Sequence, residues 1–148
     1  MVTKSETTKT NKKTSTSKLD SKLTLINVQL QSINGQLLSS DISEDFVKFN
    51  RQNNVTLLEI KDKEIRIKLS ERLFFSPEGP FRLDLEILGA YKYKGKLIES
   101  DILKEIDEIA HPLYSYASLV IAFITERFVT LPMIMAPYKA EEDYPEAP

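Results

Sequence analysis

Residues 64–93, EIRIKLSERLFFSPEGPFRLDLEILGAYKY, decide the fold of this chain. Apolar and charged residues alternate on both sides of the turn sequence Pro77-Glu78-Gly79-Pro80. A period of two is typical of a strand with one apolar and one polar face, and proline and glycine between two such runs favour a turn. The stretch therefore predicts a long antiparallel hairpin, with a slip in the alternation at Ser70-Glu71.

Two shorter strands are predicted ahead of the hairpin. The first begins at Leu23, where apolar and polar residues start to alternate, and we expect Asn34-Gly35 to form a turn or a bulge. A mostly polar connector follows from Ser39 to Asn54, and Val55 to Ile60 then predicts a second strand. With the hairpin, the chain has about four strands, which is enough for one sheet.

A helix in two parts is predicted after the hairpin. Ser100 or Asp101 is a suitable N-cap for a first part from Ile102 to Ile109. His111-Pro112 interrupts this helix, because proline disfavours a helical residue before it and fits the first turn of a new helix. The second part runs from Pro112 to about Phe128.

The second part of the helix is apolar nearly all round, which is more than one sheet can cover. A second copy of the chain is the simplest cover for the other side, so the pattern predicts a homo-oligomer, either a dimer or a tetramer. The alternative is that the first helical part and the C-terminal tail cover the helix within one subunit. The candidate oligomer interface consists of large side chains of this helix: Leu113, Tyr116, Leu119, Val120 and Phe123.

At 148 residues the chain has room for a single domain. Residues 1–20 are rich in Thr, Ser, Lys and Asn and carry almost no large apolar side chain. We therefore expect a disordered polar tail there, with a lysine-rich docking arm as the alternative. The domain itself is predicted over residues 21–138, and residues 139–148 are predicted to be an acidic flexible tail.

Composition and charge argue against several classes of protein. The net charge of -2 gives no reason to expect nucleic-acid binding, which usually needs a strongly basic face. Without cysteine, no disulfide indicates an oxidising compartment. The N-terminus lacks an apolar signal segment, and the longest apolar run, Leu119 to Ile124, is far shorter than the ~20 residues that span a membrane. We therefore expect a cytoplasmic protein without membrane insertion.

The sequence offers little material for catalysis or for a cofactor. His111 is the only histidine, and without cysteine the usual nucleophile pairs and zinc ligands are missing. None of the glycines belongs to a phosphate-binding loop. Asp84 and Glu86 lie on the charged side of a predicted strand, where solvated carboxylates are common. We therefore expect no enzyme activity, no metal site and no cofactor.

Apolar residues in loop-like stretches are the remaining candidates for a function. Phe46 and Phe49 lie in the polar connector, and Met133 and Met135 flank Ile134 close to prolines. Each of these side chains, taken singly, is more typical of core packing. Together they offer aromatic and flexible thioether groups, which suit a protein that binds many different apolar segments.

Two stretches of the chain resemble the SecB family of protein-export chaperones. The stretch AHPLYSYASLVIAFITERFVTLPMIMAP, from Ala110 to Pro137, carries the family's Leu-aromatic-x-Tyr-Ala helix opening, followed by a proline, an alternating apolar run and Ala-Pro. The stretch GPFRLDLEILGAYKY is similar to the family's last strand, with a glycine and then an aromatic residue near its end. The matching residues are Leu113, Tyr114, Tyr116, Ala117, Pro132, Ile134, Ala136, Pro137, Gly89 and Tyr91.

The resemblance, which covers about residues 23–137, implies a fold, an assembly and a function. The fold class is α+β, a four-stranded antiparallel sheet with a long C-terminal helix packed on one face, assembled as a dimer of dimers. The function is that of an ATP-independent chaperone that binds unfolded polypeptides for Sec-dependent export. The client-binding groove corresponds by position to Phe46, Phe49, Leu58, Ile60, Met133, Ile134 and Met135. The strand surface that contacts the motor SecA in the family corresponds to Asp84 and Glu86.

This chain departs from the family pattern in several places. The family's second helix, which follows Ala-Pro, is missing, because the chain continues as YKAEEDYPEAP. Ser118 stands where an arginine often follows Tyr-Ala, and the first strand, with QSINGQ, lacks a clear acidic position. The alternative function is therefore a dedicated chaperone or adaptor for a single partner, such as an antitoxin.

Overall fold

The computed structural model describes residues 22–38 and 48–140. Within them the chain forms the strands β1 (Leu23–Leu37), β2 (Lys48–Lys61), β3 (Glu64–Ser76) and β4 (Phe81–Tyr93) and the helices α1 (Glu99–Lys104), α2 (Ile106–Ile109) and α3 (His111–Val129). The strands form one antiparallel sheet in the order β1-β4-β3-β2. The polar tail predicted over residues 1–20 and the candidate Phe46 lie outside the described residues.

The long hairpin predicted from the sequence is confirmed as β3 and β4, which form the centre of the sheet. The slip expected at Ser70-Glu71 is wrong, because β3 keeps an unbroken register with β4 through these residues. Glu71 is buried in phase with Leu69 and Leu73. The alternation therefore continues, and one charged side chain lies on the apolar face of the sheet.

Strand β2 is longer than predicted, since it begins at Lys48 and not at Val55. The polar run from Asn50 to Asn54 is poor in residues that favour strands, yet each of its residues pairs with β3 in register. Pairing with the hairpin supplies the backbone hydrogen bonds that the local sequence does not favour.

Strand β1 runs straight through Asn34-Gly35 to Leu37, so the turn or bulge expected there is wrong. The register irregularities of β1 lie nearer to its start. A Cβ atom on Gly35 would lie 2.5 Å from Cζ of Phe128. The glycine therefore makes room for the end of α3 against β1, which explains its place inside a strand.

The core lies between the inner face of the hairpin and the underside of the helices. Its members are the apolar residues that the sheet and the helices bury together: Ile65, Ile67, Leu69, Leu73, Phe81, Leu83, Leu85, Ile87, Tyr91, Ile102, Ile109, Ala110, Leu113, Tyr114, Ala117 and Ile121. Burial of one large apolar side chain stabilises the fold by roughly 1.5–3 kcal/mol. The Tyr91 hydroxyl also donates a 2.6 Å hydrogen bond to the carbonyl oxygen of Ile109, which holds α2 over β4.

A row of phenylalanine rings crosses the sheet at the end that carries the hairpin turn. The ring of Phe75 lies edge-on to Phe49 at 5.3 Å and to Phe81 at 5.2 Å, measured between ring centroids. Phe128 of α3 lies 5.8 Å from Phe81. Edge-on pairs of this kind add about 0.5–1.5 kcal/mol each beyond their burial. The row thus connects β2 to the end of α3 through continuous ring contacts.

Two helical parts are confirmed, but the first part is not continuous, because it consists of the short helices α1 and α2 with a break at Glu105. The first part begins at Glu99, and its N-cap is Ile98, which makes no side-chain capping bond. The capping role expected of Ser100 or Asp101 is therefore wrong, because both lie inside the first turn. The break falls at the predicted place, and Pro112 occupies the first turn of α3.

The sheet covers only one side of α3. Leu113 is fully buried on that side, so it offers no surface to a second copy, and its assignment to an oligomer interface is corrected. Leu119 and Phe123 lie on the other side, with 72% and 56% of their surface exposed, and Tyr116 and Val120 are partly buried. None of the helices in the described part of the chain combines the length and the hydropathy that crossing a bilayer takes.

Replacing Leu113 with alanine is expected to lower the free energy of unfolding by about 2–5 kcal/mol, because it leaves a cavity under α3 that the neighbours fill only in part. The matched control is Leu103→Ala on α1, where the leucine is already half exposed and the loss is smaller. Urea unfolding followed by circular dichroism measures both variants. Equal losses would contradict the packing of Leu113 in the core.

Candidate functional site

The residues that the sequence assigned to a client groove lie in separate places. Phe49 is half-buried near the start of β2, where its ring contacts Phe75. Leu58 and Ile60 lie toward the other end of β2, roughly 30 Å from Phe49 at about 3.3 Å per strand residue. The residues 133–135 follow α3. A single groove therefore does not bring all of these side chains within contact distance.

Leu58 is exposed because of a bulge in β2. The register shifts between Leu57 and Glu59, so Leu58 has no direct partner on β3, and 47% of its surface is open. Ile60, close to the same bulge, is also exposed. Two consecutive leucines in an otherwise alternating strand are the sequence signal for this apolar patch.

The segment of residues 131–140 is held against the domain and forms neither a helix nor a strand. Met133 and Met135 are half-buried against the core, whereas Ile134 between them has 73% of its surface exposed. Such alternation is typical of an extended chain that packs on one side. The predicted apolar triplet thus consists of two covered side chains and one open one.

Two hydroxyl groups of α3 bind the main chain of this segment. The Ser118 hydroxyl donates to the carbonyl oxygen of Met135 at 2.7 Å. The N–H of Met133 donates to the hydroxyl oxygen of Thr125, also at 2.7 Å. Thr125 is fixed in turn, because its hydroxyl donates to the carbonyl oxygen of Ile121. The serine at position 118 therefore holds the segment beside the helix.

A buried ion pair between β2 and β3 holds the same segment. Arg51 binds both carboxylate oxygens of Glu71, at 3.1 and 2.6 Å, and its other terminal nitrogen donates to the carbonyl oxygen of Ala136 at 2.9 Å. The side chain of Glu71 is 0% exposed and that of Arg51 is 10% exposed. Close by, the N–H of Ala140 donates to the side-chain oxygen of Asn53 at 3.3 Å. Polar groups on the inner face of the sheet thus reach the main chain of the segment at two points.

Sequence patterns did not reveal these polar residues. Glu71 alone could have been found from the sequence. It stands where the alternation of the strand calls for an apolar residue, and a charged residue at such a position indicates a buried charge. Arg51 and Asn53 give no such signal. Their inward direction depends on the pairing of β2, in a stretch that the sequence assigned to a connector.

The predicted acidic surface is paired with cations. Asp84 lies on the outer face of β4, 3.0 Å from Arg72 and 3.3 Å from Arg82, and Glu86 lies 3.6 Å from Lys68. Exposed ion pairs of this kind contribute little to stability. They do balance the two carboxylates, so this face carries charge of both signs.

The same outer face forms a shallow groove of about 590 Å³ across the sheet. Side chains from all the strands line it, among them Ser32, Asn34, Gln52, Asn54, Ser70, Arg72, Asp84 and Glu86. Some of these groups bind one another, since Arg72 donates to Asp84 and the Ser32 hydroxyl donates to Glu86. The groove therefore presents both hydrogen-bonding groups and apolar surface.

A smaller depression of about 460 Å³ lies beside His111. Burial and the nearby charge of Asp107 raise the pKa of Tyr114 above its usual range, so the hydroxyl keeps its proton and donates to Asp107 at 3.4 Å. Lys139 lies 3.6 Å from the other oxygen of this carboxylate. Lys139 and Ala140, which the sequence assigned to the tail, thus contact the domain. Over residues 22–38 and 48–140, no three acidic or histidine side chains are grouped as a metal site requires.

No family model matches this sequence, and no curated protein matches it significantly. The backbone does match solved structures. One is the SecB-like chaperone Rv1957 of Mycobacterium tuberculosis in complex with a ChAD peptide from the HigA1 antitoxin Rv1956, with a TM-score of 0.67 and 12% identity over 80% of this chain and 92% of that chain. This chain has a SecB-like fold. A protein of unknown function from Streptococcus agalactiae matches with a TM-score of 0.52 and 16% identity, over 77% of this chain and 96% of that chain.

The SecB-like fold confirms the α+β fold of the single chain that the sequence resemblance implied. The four-stranded antiparallel sheet and the long C-terminal helix on one of its faces are both present. At 12% identity the likeness concerns the backbone and not individual side chains. The mycobacterial SecB-like chaperone is a protein that binds a peptide of an antitoxin.

Replacing Arg51 with methionine is expected to destabilise the SecB-like domain by about 3–5 kcal/mol, because Glu71 is then buried without its partner. The matched control is Arg72→Met, which removes an exposed ion pair with Asp84 and costs about 0–1 kcal/mol. The second change Glu71→Leu is expected to recover most of the loss, since it removes the unpaired charge. Chemical denaturation measures all three proteins, and a loss in Arg51→Met no greater than in the control would argue against a buried pair.

Proposed function

We propose that this chain is a chaperone that binds unfolded polypeptide and works without ATP. Apolar surface that the SecB-like fold leaves open at two places, the outer side of α3 and the far end of β2, carries this proposal. Contiguous apolar surface on a water-soluble protein marks a place where another polypeptide binds. The proposed activity is therefore binding and not catalysis.

We assign the outer side of α3 to a second copy of the chain. Leu119 and Phe123 are exposed there. Leu37 at the end of β1 adds a further exposed side chain on the helix side of the sheet, because it lies opposite the inward-facing Phe81. Burial of these groups between copies favours a homo-oligomer, with the dimer of dimers of the SecB pattern as the proposed assembly.

We assign the apolar patch at the bulge of β2 and the open side of the C-terminal segment to the client. Leu58, Ile60 and Ile134 are exposed, and contacts to such groups are non-directional, so they tolerate clients of different sequence. Phe49, Met133 and Met135 are half-buried and present less apolar surface to a client. Several such patches on one oligomer bind one long client more tightly than each does alone, through a high effective concentration.

Release of a client without nucleotide hydrolysis follows either from dissociation or from transfer to a partner. For Sec-dependent export in the cytoplasm, the proposed partner is the motor SecA. Asp84 and Glu86 are the proposed contacts, and a motor that binds them has to compete with the cations that pair with them.

A dedicated chaperone for one partner, such as an antitoxin, is the second candidate function. It is favoured by the mycobacterial SecB-like chaperone, which was solved with an antitoxin peptide, and by the mixed charge around Asp84. The two functions differ in the range of clients. Suppression of aggregation of several unrelated unfolded proteins supports the first function, and binding of one partner at fixed stoichiometry supports the second.

Replacing Leu119 with aspartate is expected to dissociate the oligomer, because it places a charge in the apolar contact between copies. Light scattering should then give a mass near the 17.0 kDa of a single chain. Leu103→Asp on α1 is the matched control, since this leucine is also exposed but lies off the outer side of α3. A wild-type protein that is already a folded monomer at high micromolar concentration would rule out this interface.

Replacing Leu58 with aspartate is expected to weaken client binding at least about tenfold, because burial of one leucine is worth roughly 1.5–3 kcal/mol. Fluorescence anisotropy with labelled, reduced and carboxymethylated α-lactalbumin measures the affinity. Thr56→Asp is the matched control, since Thr56 lies on the outer face of the same strand, opposite Lys68. Equal affinities of the two variants and the wild type would exclude the patch on β2 as a client surface.

A further inference from the structure

We infer, on the basis of the proposed chaperone function, that the groove between α3 and β2 is a binding site for the main chain of an extended polypeptide. The chain's own residues 131–140 occupy this groove as a displaceable internal ligand. A client that displaces them gives up the contact with Ile134 and keeps the contacts with Leu58 and Ile60. The ligand class is an extended segment with two apolar side chains separated by one residue, as Met133 and Met135 are in the internal ligand.

The groove binds its internal ligand through main-chain atoms. Ser118 and Arg51 donate hydrogen bonds to carbonyl oxygens, and Thr125 and Asn53 accept hydrogen bonds from N–H groups. Every polypeptide carries carbonyl and N–H groups, so these contacts do not depend on the sequence that is bound. A groove that supplies both donors and acceptors from its side chains suits clients that are unfolded and varied.

Arg51 is positioned for this role by Glu71. The carboxylate engages two nitrogens of the guanidinium group, and the third nitrogen is directed at the carbonyl oxygen of Ala136. Because the pair is buried, the arginine has little rotational freedom, and its charged N–H group binds a carbonyl more strongly than a neutral donor does. Glu71 is thus a positioning residue, and Arg51 makes the contact.

Residues 131–140 leave one hydrogen-bonding group of the groove without a partner among the described residues. The side-chain nitrogen of Asn53 is buried and has no hydrogen-bond partner among the described residues, although the oxygen of the same amide binds Ala140. A buried donor without a partner is unfavourable. An external polypeptide that places a carbonyl oxygen beside this nitrogen gains a hydrogen bond that residues 131–140 do not form.

The apolar contacts of the internal ligand are also easy to replace. Met133 and Met135 have unbranched, flexible side chains, which fill irregular space and leave it without disturbing a packed shape. The segment belongs to no strand or helix, and the ion pair of Lys139 with Asp107 at its end is half exposed. Displacement therefore breaks apolar contacts and the hydrogen bonds between groove side chains and the segment's main chain, and it leaves the sheet and α3 intact.

The test uses the full chain with both methionines changed, M133S/M135S, and a fluorescent synthetic peptide of residues 131–140, LPMIMAPYKA. The variant's own segment fills the groove less, so the peptide should bind the variant at least about tenfold more tightly than it binds the wild type. Unlabelled, reduced and carboxymethylated α-lactalbumin should then displace the peptide from the variant. Fluorescence anisotropy reports both steps.

The matched control is the double variant L131S/Y138S, which changes two exposed side chains of the same segment and should bind the peptide as the wild type does. A peptide with serine at both methionine positions should bind none of the proteins. Circular dichroism confirms that each variant is folded. If M133S/M135S is not folded, the single variant M135S with the control Y138S takes its place.

The possible outcomes distinguish a failure of the inferred groove from a failure of the proposed chaperone function. Peptide binding that is equal for variant and wild type, or absent from both, overturns the inference of a displaceable internal ligand. A peptide that binds the variant but is not displaced by α-lactalbumin overturns the groove as a client site, while direct binding of α-lactalbumin still supports the chaperone. If α-lactalbumin binds none of the proteins, the proposed function fails, whatever the peptide does.

Discussion

Packing of α3 on the inner face of the β3–β4 hairpin is the contact on which the rest of the structure depends. It joins one side of the helix and one side of the sheet in a single core, and the edge strands β1 and β2 are positioned by pairing with that hairpin. One sheet has only one face to offer the helix, so Leu119 and Phe123 stay uncovered in a single chain. Exposed apolar surface is thus a consequence of the architecture, and both the proposed assembly and the proposed client binding rely on it.

The buried pair of Arg51 and Glu71 is the second constraint, and stability alone does not account for it. A well-packed apolar pair in the same place is often as stable or more stable. The charged pair also supplies a hydrogen-bond donor, Arg51, in a fixed position at the edge of the core. This donor binds a main-chain carbonyl of the segment that follows α3. The inner face of the sheet therefore has an apolar part under α3 and a polar margin under residues 131–140.

Local patterns predicted the parts of the fold that follow local rules. The alternation of residues 64–93 predicted the central hairpin, and Pro112 predicted the break before α3. The errors concern features that depend on distant parts of the chain. Residues 48–54 form a strand because β3 supplies partners, and Gly35 lies inside a strand because the ring of Phe128 needs room there. The polar margin was missed for the same reason, since Arg51 faces inward only once β2 has paired.

Gly89 and Gly35 lie beneath opposite ends of α3. A Cβ atom at either position would collide with the helix, at Leu113 in one case and at Phe128 in the other. The space left by the two glycines fixes the direction in which α3 crosses the sheet. Residues on the side of α3 that faces away from the sheet have no part in that alignment. Many different sequences can therefore share this backbone, which fits the backbone match at 12% identity.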